Sequence, residues 1–388
     1  MELYIIALKE LGLNNNDLTL LLSNLTLSDF INLFRGNYIE TQLKYNINLE
    51  KYSKRLSNIY MLENSLIKAK KILRLNKEYK IKTILINDVK YPKRLKEIKN
   101  APVILYYRGN GFFKKHDKSI ACVGTRNPSE FSYTAIDSLI PKLVEEEFTI
   151  ISGLAEGVDC YSQKICLENN GTTIAVLAHG LDMIYPKINE NIALNILKNK
   201  GLLISEYPVG VKPDKFRFVD RNRIISGLSK SVIVFETKEK SGTMHTVNYA
   251  IEQKRNIFCP YPTVSTPLTT QLQNLINSKI ATPLIKRSSY DIIVYNSGYK
   301  IRKDKNSANK YKSNLISSMF QNMKINNNII FNYLNRKKDK NKEEKKISFS
   351  IDKEIHSKLS EYIKTNNLTK KELFNAFIIA LLEEENKE

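Results

Sequence analysis

Between Ile120 and Pro262 lie several short stretches whose residue types can hold an anion. Gly124-Thr125-Arg126 follows an apolar run. Its glycine lets the chain turn beside a ligand, and Arg126 offers a forked set of donors suited to phosphate. A plain turn with a surface arginine is the alternative. In Ser152-Gly153-Leu154-Ala155-Glu156-Gly157-Val158-Asp159, small residues precede a helix. Ser152, Gly153 and Gly157 can there aim backbone N–H groups at an anion, unless the segment is only a tight turn. Asp159, in the first helical turn, complements the helix dipole and can orient the loop. Further on, Tyr185 can stack on a base or pack in the core, Lys187 supplies a mobile charge, and Asn189 can contact a base or cap a helix. His179 reads as a neutral rim residue. Arg221-Asn222-Arg223 heads a helix anchored by Ile224, Ile225 and Leu228. Its arginines either meet phosphates or bridge internally to Glu206 or Asp159. Ser241-Gly242-Thr243 starts another helix and reads as a second anion site or a simple cap.

What is missing narrows the chemistry. No GxGxxG follows the first strand of the series, and no GxxxxGK(S/T) occurs, so dinucleotide binding and ordinary ATP hydrolysis lose their signatures. The acids are scattered singly, without the placed base or paired carboxylates that hydrolysis needs, so no catalytic residue is assigned. Four cysteines (122, 160, 166, 259) form no CxxC pair and four histidines (116, 179, 245, 356) no ligand spacing, so neither a metal nor a cofactor is expected. The net charge of +21 in 388 residues favours nucleic acid or another polyanion. A Lys-, Asn-, Ile- and Tyr-rich coding bias produces part of it. No apolar run is long enough to span a bilayer and no leader precedes the first helix, so the expected setting is cytoplasmic and reducing, without membrane contact.

These residues need a scaffold. Residues 1–80 read as a helical N-terminal region. From 81 to 286, near-continuous apolar strands alternate with helices. They are KTILIND, PVILYYRGN, SIACVG, FTIISG, TTIAVLA, GLLISEYP, SVIVFET and NIFCPYP. Uninterrupted apolar strands indicate a mostly parallel sheet covered on both faces: an α/β, extended Rossmann-like, doubly wound domain. In such sheets ligands bind beyond the carboxyl ends of the strands, where the stretches above fall. Residues 287–344 read as a basic linker with short helices, and 345–388 as a small strand-helix-helix module, either a ribbon-helix-helix unit or a helical hairpin.

At these positions the chain resembles the DNA-processing protein A family, also called Smf. The resemblance rests on GTR at 124–126, SGLAEGVD at 152–159, GTTIAVLAHGLDMIYPKIN at 171–189, LLISEYPVG at 202–210, RNRIISGLS at 221–229 and SGTMHT at 241–246. It covers about residues 80–285, and the helical N-terminus weakly. It implies single-stranded DNA binding, homodimerisation, and delivery of the strand to a RecA-type recombinase in natural transformation. Phosphate contacts would fall on Arg126, the Ser152–Gly157 loop, Lys187 and the Arg221–Arg223 helix start. The chain departs from the family pattern at Ala178 (usually Gly), at Val219 (usually Pro), at Tyr161–Leu167, at Thr243–Thr246, at Cys259–Pro262, and in its final module. A ribbon-helix-helix unit there could add duplex contact. Two competing functions are a nucleotide sensor or nucleotide hydrolase of a related Rossmann-like class, and a transcriptional regulator acting through 345–388. For the hydrolase the PGGxGTxxE signature is absent.

Overall fold

The computed structural model describes residues 1–112, 114–285 and 290–299. The module expected at 345–388, and the expected linker from 300 onward, lie outside the described residues. Met1–Ser297 is one compact unit.

Six helices open the chain: α1 (Glu2–Glu10), α2 (Asn15–Asn24), α3 (Leu27–Leu33), α4 (Tyr38–Tyr45), α5 (Ser53–Leu56) and α6 (Ile59–Glu78). Their starts are set locally. The Asn14 and Asn58 side chains accept from the backbone N–H groups of Asp17 and Met61, and Thr26 with Asp29 forms a capping box. Helix α1 buries Ile5, Ile6, Ala7 and Leu8, and packs along α6, which buries Leu62, Ser65, Ala69, Ile72 and Asn76 at helical spacing.

Nine strands follow: β1 (Lys82–Leu85), β2 (Ile104–Gly109), β3 (Ser119–Val123), β4 (Thr149–Ser152), β5 (Thr173–Leu177), β6 (Leu202–Ser205), β7 (Ser231–Val234), β8 (Asn256–Pro260) and β9 (Thr282–Leu284). They form one sheet in the order β1-β2-β6-β5-β4-β3-β7-β8-β9. β2 runs antiparallel to both β1 and β6, and the remaining pairs are parallel. Every residue of β3 to β7 is buried, as the uninterrupted apolar runs predict. β9 extends the sheet one strand beyond the expected series, because three residues make too short an apolar run to stand out. Between the strands lie α7 (Lys93–Lys96), α8 (Glu130–Glu145), α9 (Val158–Glu168), α10 (Glu190–Lys198), α11 (Lys215–Leu228), α12 (Gly242–Glu252) and α13 (Pro267–Asn277). The last described helix is α14 (Tyr290–Asn296). Chain progression runs outward in both directions from the β3/β7 junction, which makes that junction the topological switch point.

One helix starts earlier than the sequence suggests. Asp214 caps α11 by accepting from the Phe216 N–H, so Arg221 lies near the end of the second turn and not at the helix start. The whole run Arg221–Leu228 is buried, arginines included. The helix N-terminus therefore does not add its dipole to Arg221.

A buried ion network joins the N-terminal helices to the sheet. Glu206, just after β6, receives Lys9 Nζ at 3.0 Å and Asn15 Nδ2 at 2.7 Å on Oε1, and Arg223 Nη2 at 2.5 Å on Oε2. Burial alone pushes this carboxyl up, but Lys9, Arg223 and Asn15 outweigh it and hold it at about 2. Removing the carboxylate leaves the buried Arg223 with only the part-exposed Asp220 at 3.4 Å, and Lys9 with only the Asn15 amide oxygen. Glu206→Gln is expected to lower stability by about 3–5 kcal/mol in urea unfolding. The pH dependence has a definite sign. With a folded value near 2 against an ordinary 4.5, the carboxylate stabilises the native state fully above roughly pH 4.5, and this is lost as pH falls toward 2. The stability–pH curve of Glu206→Gln should be flatter over that window.

Candidate functional site

A cleft of about 320 Å³ opens at the β3/β7 switch point. Gly124, Arg126 and Asp159 line one side, Arg221 and Asn222 the floor, and Ser241, Gly242 and Thr243 the other side. Three residues that the sequence reading passes over also line it: Phe218, Thr237 and Lys238.

Arg221 organises the cleft. Its side chain is 4% exposed, and Nη1 donates to the carbonyls of Gly153 (2.9 Å) and Val176, at the ends of β4 and β5. Burial draws the guanidinium down to about 10 despite the nearby Asp159 carboxylate, and Arg126 pushes the same way as burial. Its Nε donates to Asn222 Oδ1 (3.2 Å), and Asn222 Nδ2 donates to the Gly242 carbonyl at the start of α12 (3.2 Å). One hydrogen-bonded chain thus runs from β5 to α12. Asp159 accepts from the Gly153 N–H at 3.1 Å; burial pushes its carboxyl up, and Arg221 draws it back.

Arg126 is exposed at the mouth. Its guanidinium carbon lies 5.8 Å from the Phe218 ring centroid, and that of Arg221 lies at the same distance. Tyr185, 49% exposed, brings its ring to 5.9 Å from Phe218. Asn189 Nδ2 donates to the Leu154 carbonyl at 2.9 Å and so ties the exposed Lys187 turn to the Ser152–Gly157 loop. That loop is tied to the Arg126 loop in turn, since the Val158 N–H donates to the Thr125 carbonyl at 3.1 Å. Gly157 has φ +78°, and a Cβ there would lie 2.4 Å from the Thr125 oxygen.

Not every anticipated residue reaches the cleft. Arg223 faces the other side of α11, into the Glu206 pair; internal bridging, one of the two readings of this arginine, is what the structure holds. Ser152 Oγ donates to the Cys122 carbonyl at 2.6 Å and is fully buried. Thr243 Oγ1 donates to the Gly124 carbonyl, and Ser241 Oγ hydrogen-bonds Thr237 Oγ1. These hydroxyls close the cleft walls. The α12 N-terminus is open beside them: a Cβ on Gly242 would meet nothing within 4 Å. His179 is buried with Nδ1 2.8 Å from the Gly180 carbonyl, and burial lowers its pKa.

The neighbouring helix end is occupied from within. Glu236, just after β7, accepts from the Ser129 N–H (2.8 Å), Ser129 Oγ (2.6 Å) and Ser132 Oγ (2.7 Å), so a carboxylate fills the N-terminus of α8. The Glu236 carbonyl accepts from the Thr125 N–H at 2.8 Å. One residue holds both ends of the loop that carries Arg126. Among the described residues no group of three His, Cys, Asp or Glu could hold a metal ion, and no helix is long and apolar enough to cross a membrane. All four cysteines are free, three of them buried.

An open, mostly parallel α/β sheet with this cleft at its switch point defines a Rossmann-like fold. The family model of DNA recombination-mediator protein A matches residues 82–294, and the chain belongs to that family. It is 43% identical over 185 residues to the DNA processing protein DprA of Streptococcus pneumoniae, covering 47% of this chain and 64% of that protein. It is also 43% identical over 175 residues to protein Smf of Synechocystis, covering 44% of each. The chain thus spans less than two thirds of the length of these curated relatives. The X-ray structure of the Streptococcus pneumoniae protein superposes with a TM-score of 0.59 at 29% identity, over 78% of this chain and 99% of that one. The Helicobacter pylori DNA processing protein A, a structure that gives insight into a unique single-stranded DNA binding mode, superposes at 0.50 with 27% identity, over 56% and 96%.

Glu236→Ala leaves three donors without their acceptor and is expected to cost about 3 kcal/mol in denaturant unfolding. Hydrogen exchange should rise selectively at Thr125–Ser132. Gly157→Ala forces a left-handed alanine against the Thr125 carbonyl and should destabilise by more than about 1 kcal/mol.

Proposed function

We propose that this chain binds single-stranded DNA along the carboxyl-end rim of its sheet and does not cleave it. The observation that carries the reading is the cluster around Phe218. Two guanidinium groups and a half-exposed tyrosine ring surround one aromatic face at the mouth of a cleft, where phosphate and base can be met together. Arg126, Lys187 and Lys238 are the exposed cations offered to phosphate. The α12 start at Ser241-Gly242-Thr243 offers backbone N–H groups, while in the Gly124 turn and the Ser152–Gly157 loop the Thr125 and Gly153 N–H groups are held by Glu236 and Asp159 and shape the rim. Arg221 enters as the buried floor of that surface, and Arg223, paired with Glu206, as its support. Phe218 and Tyr185 serve as the stacking platform, and Asp159, Asn189 and Asn222 hold the loops.

A binding role suits the cleft chemistry. Among the described residues lining it, Asp159 is the one carboxylate, and it is engaged by Gly153 and Arg221, so no acid–base pair faces the cleft. The relatives support the same reading: the Helicobacter pylori structure concerns a single-stranded DNA binding mode, and the Streptococcus pneumoniae relative is a DNA processing protein. Delivery of the strand to a RecA-type recombinase, homodimer formation and a cytoplasmic site belong to this proposal through the family resemblance.

The test is a salt-titrated comparison of single-stranded and duplex DNA binding by the intact protein. Single-strand preference is expected. Arg126→Ala should weaken binding alike on all sequences and reduce the slope of log K against log salt by about 0.7. Phe218→Ala should cost about 1–3 kcal/mol with the slope unchanged. Equal affinity for the two DNA forms, or release of hydrolysed nucleotide, would overturn the proposal.

A further inference from the structure

Helix α6 turns an unusually one-sided face to solvent. Lys68, Lys70, Lys71, Arg74 and Lys77 place five cations in ten residues, and no acid lies between Glu63 and Glu78. The buried face, centred on Leu62, Ala69 and Ile72, fixes which side points outward. Tyr60 (83% exposed), Ile67 (63%), Lys71 and Arg74 form its central line, flanked on one side by Lys68 and on the other by Lys70 and Lys77. Arg74 has one exposed partner, Glu78 at 3.7 Å, a contact of little strength.

The spacing sets like charge against like charge. Lys68 and Lys71, Lys71 and Arg74, and Arg74 and Lys77 are i,i+3 neighbours, and Lys70 and Arg74 are i,i+4, so the isolated helix repels itself. A merely solvated face relieves such repulsion by interleaving acids. A general excess of lysine in the sequence accounts for the number of cations, but not for the missing acids. A polyanion laid along the face would relieve the repulsion. The stretch from Lys68 to Lys77 spans about 14 Å, over which a stacked strand presents roughly four phosphates at ~3.4 Å each. Tyr60 and Ile67 supply uncharged contact beside the cations.

We propose that the exposed face of α6 is a second phosphate-binding surface, occupied by single-stranded DNA beyond the segment held in the cleft. The proposal rests on the reading of the cleft as a single-stranded DNA site. The packing of α6 on α1, whose Lys9 reaches Glu206 behind α11, gives this face a fixed connection to the sheet.

The experiment uses intact protein and oligothymidylates of about 6 and about 30 nucleotides, short enough and long enough to separate one site from two. Two triple variants are compared with wild type, Lys68→Glu/Lys71→Glu/Arg74→Glu and the corresponding Gln triple, with thermal unfolding by circular dichroism to verify the fold. The charge-reversed protein should bind the long strand at least tenfold more weakly. Its salt slope should fall by about 2, the short strand should bind as in wild type, and the Gln triple should lie between. Unchanged long-strand affinity and slope in both triples would overturn the proposal. An equal loss on both lengths would overturn it too, because the helix would then act only through its general field. If wild type fails to hold the short strand while the triples still weaken the long one, the cleft reading fails and the α6 surface stands.

Discussion

A guanidinium buried under the ends of two strands is the interaction on which the cleft depends. Arg221 donates to the Gly153 and Val176 carbonyls at the ends of β4 and β5, and an uncompensated buried cation would be costly. The cost is offset locally by those carbonyls, by Asp159 and by Asn222. The same contacts fix the geometry of everything nearby. Gly153 has to lack a side chain, because a Cβ would lie 2.6 Å from the guanidinium nitrogens. The Phe218 ring is held against the guanidinium, and Arg126 meets that ring from outside. A buried arginine that touches strand ends, loop and aromatic platform together makes the binding surface a property of the fold.

The second support is remote. Arg223, two residues on and on the other side of α11, is held by Glu206, and Glu206 is held in turn by Lys9 and Asn15. The N-terminal helices are therefore linked to the arginine helix through Glu206. Such a buried network contributes less to stability than its Coulomb energy suggests, since each ion is first desolvated. Its stronger effect is on specificity, because any packing of α1 and α2 that misses Glu206 strands a charge in the interior.

How much of this is legible in the sequence follows from the physics of each element. The parallel strands are legible because strands buried on both faces leave uninterrupted apolar runs, and SIACVG or SVIVFET has no other reading. The loops at their ends are legible from glycine spacing and from family resemblance. The early start of α11 is hidden, because Lys215-Phe216-Arg217-Phe218 shows no apolar period and its cap is a single aspartate. Phe218 escapes for the same reason: only the fold brings it to Arg126 and Tyr185. The division of labour between Arg221 and Arg223 depends on which way each side chain leaves the helix, and a run buried all round, Arg221–Leu228, carries no amphipathic pattern to tell. Lys238, in a Lys-Glu-Lys turn, looks like ordinary solvated surface.

Glu236 carries a consequence of its own. In dinucleotide-binding α/β sheets, the start of the helix after the first parallel strand receives a phosphate. Here the position has a tethered tenant with no off-rate, part of the chain itself. The loop from Thr125 to Ser129 is accordingly held at both ends by the chain itself. A polymer bound there as proposed would meet a mould already set and would spend little of its contact energy on shaping it.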